Sequence, residues 1–365
     1  MKHIIVSVTN DLVTDQRVHK VCSSLTKSGY KVLLIGRFFK KNKPLNRIYE
    51  TKRMRLYFNT GFLFYAEYNL RLFLKLLFIK KHVLIANDLD TLLPNFIISK
   101  LFKTKLVYDS HELFTEVPEL IDRPKTQKIW LTIEKKIVPK LSNCITVCRS
   151  IANYYDVKYN TAFHIIKNVP QYTTPKPANF PFDKKNNKII LYQGALNKGR
   201  GIEHMIDAMK YLKGYIFVIA GAGDIEKNLK QQVLQNGIEN KIHFLGRLEP
   251  NRLKSITPLA DLGISFEEDL GLNYRFALPN KLFDYIHAKI PSLVSDLPEM
   301  KKIIINNAFG AILKSNKPEE IAAQITAIFN DPLTYNKWKE NLNKPNDFQW
   351  KIEETKLKSI FNNLQ

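Results

Sequence analysis

The chain has 365 residues, 45% hydrophobic and 25% charged, a globular composition that is too long for one small core and fits two domains of ~150–200 residues. Lysine and arginine number 56 against 34 aspartates and glutamates, and the net charge of +22 calls for an anionic partner: phosphate, a membrane surface or nucleic acid. Cys22, Cys144 and Cys148 are odd in number and lack metal-ligand spacing, which excludes a disulfide scaffold and a cysteine-ligated zinc site and predicts reduced, buried thiols.

In chain order, the N-terminal MKHIIVSVTNDLVTD is expected to be a strand (3–9) and a polar loop; its apolar run is too short for a signal peptide. Residues 18–29 have helical spacing and end at a glycine, as a helix C-terminus does. Further strands are expected at 30–36, 82–87, 105–110 and 143–148, with helical segments between them. This is the rhythm of a parallel sheet covered on both faces.

The charge is uneven. Residues 1–170 carry 29 basic and 13 acidic side chains, and the stretch 27–81 holds 14 basic and two acidic. Arg37, Lys40, Lys41, Lys43, Arg47, Lys52, Arg53 and Arg55 are clustered ahead of FLFYAEYNLRLFLKLLFIKK (62–81). There Glu67, Arg71 and Lys75 recur every fourth residue, forming one charged stripe on an otherwise apolar helix. Three charges argue against a transmembrane span. Two readings stay open: a helix packed in a domain core, or one lying in a membrane interface with basic neighbours on anionic headgroups. Nucleic-acid binding is disfavoured, because no helix-turn-helix, zinc-finger or RNP-type motif accompanies the charge.

Residues 171–187, QYTTPKPANFPFDKKNN, are expected to be an interdomain linker. Alternation then restarts with strands in KIILYQG, YIFVIAGAG, KIHFLG, ADLGISF and PSLVSD, giving a second Rossmann-like half over 188–345. The tail 346–365 is expected to be a terminal helix.

Ligands of open parallel sheets bind at the carboxyl ends of strands, so the loops there hold the candidates. Asp15 either caps the next helix or faces substrate, and Arg17, one turn in, is a candidate substrate contact. Asp109 stands near the end of a strand and His111 and Glu112 follow it, where an imidazole could bond a hydroxyl or phosphate. Gly194, Lys198, Gly199, Arg200 and Gly201 stand between strand and helix, where backbone amides and cations suit a phosphate. Gly221 and Gly223 form a second such turn. Lys281 and Asp284 lie at i and i+3 behind Pro279; they are either a phosphate and ribose contact or a surface ion pair.

The motifs NDLVTDQRVHKVCSSLTKSGYKV (10–32), VYDSHELFTE (107–116), IIKNVP (165–170), YQGALNKGRGIE (192–203), IAGAGD (219–224), FLGRLE (244–249) and LPNKLFDYIHAKIPSLVS (278–295) together resemble the retaining glycosyltransferases of family 4. The resemblance implies the GT-B architecture: two Rossmann-like parallel-sheet domains facing across a cleft, with the terminal helix returning to the first. It implies a nucleoside-diphosphate sugar, UDP- or GDP-linked, on the second domain and the acceptor on the first. The family's G-R-x-x-x-x-K-G pattern maps onto Gly194–Gly201, with Arg200 in the lysine position and Ala195 where the arginine stands. His111 maps onto the family histidine. Of the paired glutamates, the second is Asp284 and the first is Phe276; Asn273, Tyr274 and Arg275 are the candidates to cover for it, and the helix fits the P-x-K-L-F-E-Y subset.

His111, Arg200 and Lys281 are thus the expected catalytic residues. Gly194, Lys198, Gly199, Gly201, Gly221, Gly223, Asn273, Tyr274, Asn280 and Asp284 are expected on the donor, and Asp15, Arg17 and Glu112 on the acceptor side. No metal or other cofactor is expected. The implied setting is surface-polysaccharide or lipid-linked oligosaccharide synthesis by a cytoplasmic protein peripheral to an anionic membrane, with a glycan or lipid-linked acceptor. The rival functions are a nucleotide-sugar epimerase and a non-catalytic nucleotide-sugar-binding protein of the same fold.

Overall fold

A computed structural model describes residues 1–39, 44–117, 120, 122–171, 173, 176 and 178–364. The chain divides into two compact units, Met1–Asn168 with Lys351–Gln365, and Val169–Trp350. Lys40, Lys41 and Lys43 of the basic cluster lie outside the described residues.

The first unit is built on a parallel sheet of β1 (His3–Ser7), β2 (Lys31–Arg37), β3 (Glu50–Met54), β4 (Val83–Asn87), β5 (Lys105–Ser110), β6 (Cys144–Thr146) and β7 (Phe163–Ile165). The order is β3-β2-β1-β4-β5-β6-β7. Chain direction across the sheet reverses between β1 and β4, which makes the carboxyl ends of those strands the switch point. Their apolar runs are buried on both faces, with Ile4, Val6, Leu84, Ile85 and Val107 at 1% exposure or less. The covering helices are α1 (Gln16–Lys27), α2 (Gly61–Phe78), α3 (Leu89–Phe102), α4 (Pro124–Ile137) and α5 (Arg149–Tyr159). The three cysteines are buried thiols.

Helix α2 settles part of the question raised by its sequence. Phe64, Tyr68, Leu72 and Leu76 are buried, and the Tyr68 hydroxyl donates to the Val8 carbonyl, so one face is core. Glu67 and Arg71 pair at 2.7 Å along the charged stripe. Phe62, Leu63, Leu70, Leu74 and Phe78 remain exposed. Among the described residues no helix is long and apolar enough to cross a membrane.

The second unit carries β8 (Lys188–Gln193), β9 (Tyr215–Ala220), β10 (Ile242–Phe244), β11 (Leu262–Ser265), β12 (Ser292–Val294) and β13 (Gly310–Ile312), all parallel, in the order β10-β9-β8-β11-β12-β13. Here the switch point lies between β8 and β11. The helices are α6 (Ile202–Ala208), α7 (Glu226–Gln235), α8 (Pro250–Ile256), α9 (Leu272–Arg275), α10 (Asn280–Ala288), α11 (Pro298–Asn307), α12 (Pro318–Asn330) and α13 (Pro332–Asn343). Four of them, α8, α11, α12 and α13, begin with the proline that a first helical turn tolerates. The last helix is α14 (Trp350–Asn362).

At the end of the proline-rich stretch, Phe180 and Phe182 lie against the cluster of Ile189, Val218 and Tyr285, and Phe182 stacks on His243. Polar β3 escaped notice because it is an edge strand with an exposed Glu50-Thr51-Lys52 face.

Helix α10 is seated by Tyr285. Its hydroxyl lies 3.1 Å from the carbonyl oxygens of Leu191 on β8 and Ile264 on β11 and accepts the Gln193 N–H. Gly263 makes room for the ring, since a Cβ there would stand 2.6 Å from it. Gly263→Ala is therefore expected to destabilise the fold by about 1–3 kcal/mol, read from the urea-unfolding midpoint.

Candidate active site

The second unit gathers its functional side chains at the carboxyl ends of β8 and β11. Behind β8, the loop Gly194–Gly201 turns into α6 through Gly201, whose φ of +65° favours glycine, and whose missing Cβ leaves space for the Phe266 carbonyl. Gly221, behind β9, lies so close to the Gly194 carbonyl that any side chain would collide with it. The β9 loop is laid along the β8 loop by hydrogen bonds from Gly194 N–H to Ala220 and from Leu196 N–H to Ala222. Gly221 and Gly223 therefore let the two loops pack against each other.

Arg200 and Lys281 converge on one carboxylate that the sequence reading passed over. Glu267, two residues beyond β11, is fully buried. Its Oε1 accepts from Lys281 Nζ at 2.7 Å and lies 3.6 Å from the Arg200 guanidinium, and its Oε2 accepts from the Ser265 hydroxyl at 2.6 Å. Burial alone would raise its pKa; Lys281 and then Arg200 hold it below the usual value. The Lys281 ammonium also stands 4.1 Å from the centre of the Tyr192 ring, and Arg200 lies 5.0 Å from that of Tyr274. Thus Lys281 does not form a surface pair with Asp284. Asp284 instead accepts from the Gln193 side-chain amide at 2.9 Å, which ties α10 to the end of β8.

The other donor-side candidates surround this centre less directly. Lys198 is exposed, and its carbonyl accepts from the Tyr274 hydroxyl. Gly199 is buried, and Asn280 is the exposed first residue of α10. Asn273 and Tyr274 lie on α9, and Phe276 caps its end, while Arg275 is paired with Asp269 at 2.7 Å.

In the first unit, Asp15 and Arg17 are engaged with neighbouring groups of the fold. Asp15 caps α1, accepting from Val18 N–H at 3.0 Å and from the Asn10 amide. Arg17 is buried rather than facing substrate: it grips Asp109 with two hydrogen bonds, of 2.7 and 3.2 Å, and donates to the Ile166 carbonyl at 2.7 Å. His111 is likewise engaged at both ring nitrogens. Nδ1 is 3.2 Å from Asp88, Nε2 is in a 3.4 Å electrostatic contact with Asp109, and the backbone N–H donates to Asp88 at 2.7 Å. Burial opposes the charge, but Asp88 and Asp109 push the imidazole up to about 10, so it is a cation rather than a base at neutral pH. Glu112 follows, half-buried, its carbonyl accepting from the Ser110 hydroxyl.

Two further acids behind β4 had no motif to mark them. Asp88 holds a φ of +57° to reach His111. Asp90 is buried and accepts from the Thr9 hydroxyl across the β1–β4 switch point; burial and then Asp88 push it up to about 8. Among the described residues, no three His, Cys, Asp or Glu side chains are grouped to hold a metal ion.

Removing one partner of a buried pair strands the other, so Arg17→Ala is expected to cost about 3–5 kcal/mol in urea unfolding. The raised pKa of His111 means that its protonated form stabilises the fold fully below pH 6.5, a contribution lost as pH rises through about 10. The stability gap between the wild type and His111→Gln should accordingly close between those limits.

Comparison with known proteins identifies the second unit. The glycosyl transferases group 1 family matches residues 176–344. The chain is 22% identical over 294 residues to chitobiosyldiphosphodolichol beta-mannosyltransferase of Candida albicans, covering 71% of this chain and 63% of that protein. The matched stretches span 37–63% of the curated relatives' lengths. Among solved structures, sucrose-phosphate synthase from Thermosynechococcus elongatus superposes with a TM-score of 0.82 at 14% identity, covering 100% of this chain and 99% of that one. Anabaena HepE in complex with UDP superposes at 0.68 and 14% identity, with 100% and 98% covered. Residues 176–344 of the second unit are thus similar to the glycosyl transferases group 1 family, and the chain has the GT-B fold.

Proposed function

We propose that the protein is a retaining glycosyltransferase of the hexosyl type, moving a sugar from a nucleoside-diphosphate sugar to an acceptor hydroxyl. The carrying observation is the meeting of Arg200 and Lys281 at the switch point of the second sheet, beside the Gly194–Gly201 loop. Two cations beside a glycine loop suit a diphosphate, and the guanidinium can hold two phosphate oxygens at once. The family match covers this region, and the structural neighbour HepE was determined with UDP and with UDP-glucose.

In the reaction, the bond from the anomeric carbon to the diphosphate oxygen breaks as the bond to the acceptor oxygen forms. The acceptor's proton passes to the leaving diphosphate. Arg200 and Lys281 stabilise the charge that develops on that group, no metal being required, and alignment of the two substrates supplies much of the rest. Asp284, near the end of β8, takes the ribose. The His111 imidazolium, pinned by Asp88 and Asp109, orients the reacting groups on the acceptor side.

The acceptor is a glycan or lipid-linked saccharide met at the cytoplasmic face of an anionic membrane. Support comes from the exposed apolar row of α2 and the cations beside it: burial, and then Lys52 and Arg71, lower the pKa of Lys75. The Candida albicans relative is by name a mannosyltransferase of a diphosphodolichol compound.

A panel of UDP- and GDP-sugars should reveal a donor by thermal stabilisation. With that donor, Arg200→Ala should lower transfer by about 10²–10³-fold; near-normal turnover would reject the assignment. EDTA should leave turnover unchanged, and the anomeric configuration of the product, read by NMR, should match that of the donor. Replacing Lys52, Arg53 and Arg55 with glutamine should weaken sedimentation with anionic liposomes; unchanged sedimentation would remove the membrane from this reading.

A further inference from the structure

We propose that Glu267 is a positioning residue for the donor diphosphate: it presets Arg200 and Lys281 and, by competing with phosphate for them, keeps the nucleoside-diphosphate product releasable. The proposal rests on the nucleotide-sugar reading above.

Three separate elements meet at this one carboxylate: the loop behind β8 through Arg200, the end of β11 through Ser265, and α10 through Lys281. A buried carboxylate loses its hydration, and an apolar residue of similar size serves stability as well or better. What an apolar residue could not do is hold two cations close together in an empty site. Without an anion between them, Arg200 and Lys281 would repel each other.

The two pairings are unequal. Lys281 is 8% exposed and bonded at 2.7 Å, whereas Arg200 is 27% exposed and stands at 3.6 Å. Lys281 is thus the fixed member. Its Nζ lies 3.8 Å from where a Gly194 Cβ would be, directly under the glycine loop. Arg200 is the looser and more accessible member, free to turn its guanidinium onto phosphate oxygens while Glu267 retains the lysine. Two cations against one carboxylate leave a single net positive charge, enough to attract a diphosphate. The same carboxylate repels the phosphate and so limits its affinity.

The test is a calorimetric titration of UDP, GDP and inorganic pyrophosphate into the wild type, Glu267→Gln and Glu267→Asp. Glutamine keeps the shape and can still accept from Lys281 and donate to Ser265, but removes the charge. Glu267→Gln should bind the diphosphate probes about tenfold more tightly, as expected for removing one like charge several ångströms away. Its donor KM and its kcat should both fall. Glu267→Asp keeps the charge but draws it back by one methylene, and it should bind the same probes several-fold more weakly than the wild type. A merely structural role predicts a lowered unfolding midpoint without tighter binding. Equal or weaker binding by a folded Glu267→Gln overturns the proposal. Should that variant fail to fold, unchanged binding by Glu267→Asp overturns it. A wild type that binds none of the three probes overturns the nucleotide-sugar reading, and the role of Glu267 with it.

Discussion

A carboxylate buried at the end of a parallel strand must find a cation, and in each unit that requirement decides which loops meet. In the first, Asp109 on β5 is answered by Arg17 from α1 and by the His111 imidazolium. In the second, Glu267 behind β11 is answered by Lys281 from α10 and by Arg200 from the β8 loop. Leaving either carboxylate unpaired would cost several kcal/mol, so these loops cannot drift apart while the fold persists. Both clusters sit at or beside the switch point of their sheet, where a parallel fold opens a crevice.

The two clusters are suited to different chemistry. In the first, both cations are committed: Arg17 is buried and doubly bonded, and both His111 nitrogens face acids. The acids there, Asp88, Asp90, Asp109 and Glu112, make a poor reception for phosphate and a better one for hydroxyl groups, which carboxylates accept from readily. In the second, cations outnumber the carboxylate they share, and one of them remains partly exposed. That asymmetry suits an anion at the second sheet better than at the first.

Much of this was legible in the residue order. Long β-branched runs marked β1, β2, β4, β5, β8 and β9, because a strand buried on both faces is apolar throughout. Three strands were not read as such: β7 and β13, of three residues each, and β3, a polar exposed edge. Arg200 and Lys281 were found through loop position and motif. Glu267 was missed, although the run Glu267-Glu268-Asp269 directly behind a strand in front of Lys281 was a usable signal.

What the sequence by itself determined was periodicity, charge and the loops between strand and helix; these depend on near neighbours in the chain. Only the tertiary structure decided which of those charges are spent on the fold. Arg17 and Asp109 are 92 positions apart, and Lys281 and Glu267 are 14 apart with a turn and a short helix between them. No local pattern encodes such pairings, because burial is set by what the sheet brings together, and burial is what turns a surface cation into an obligatory partner.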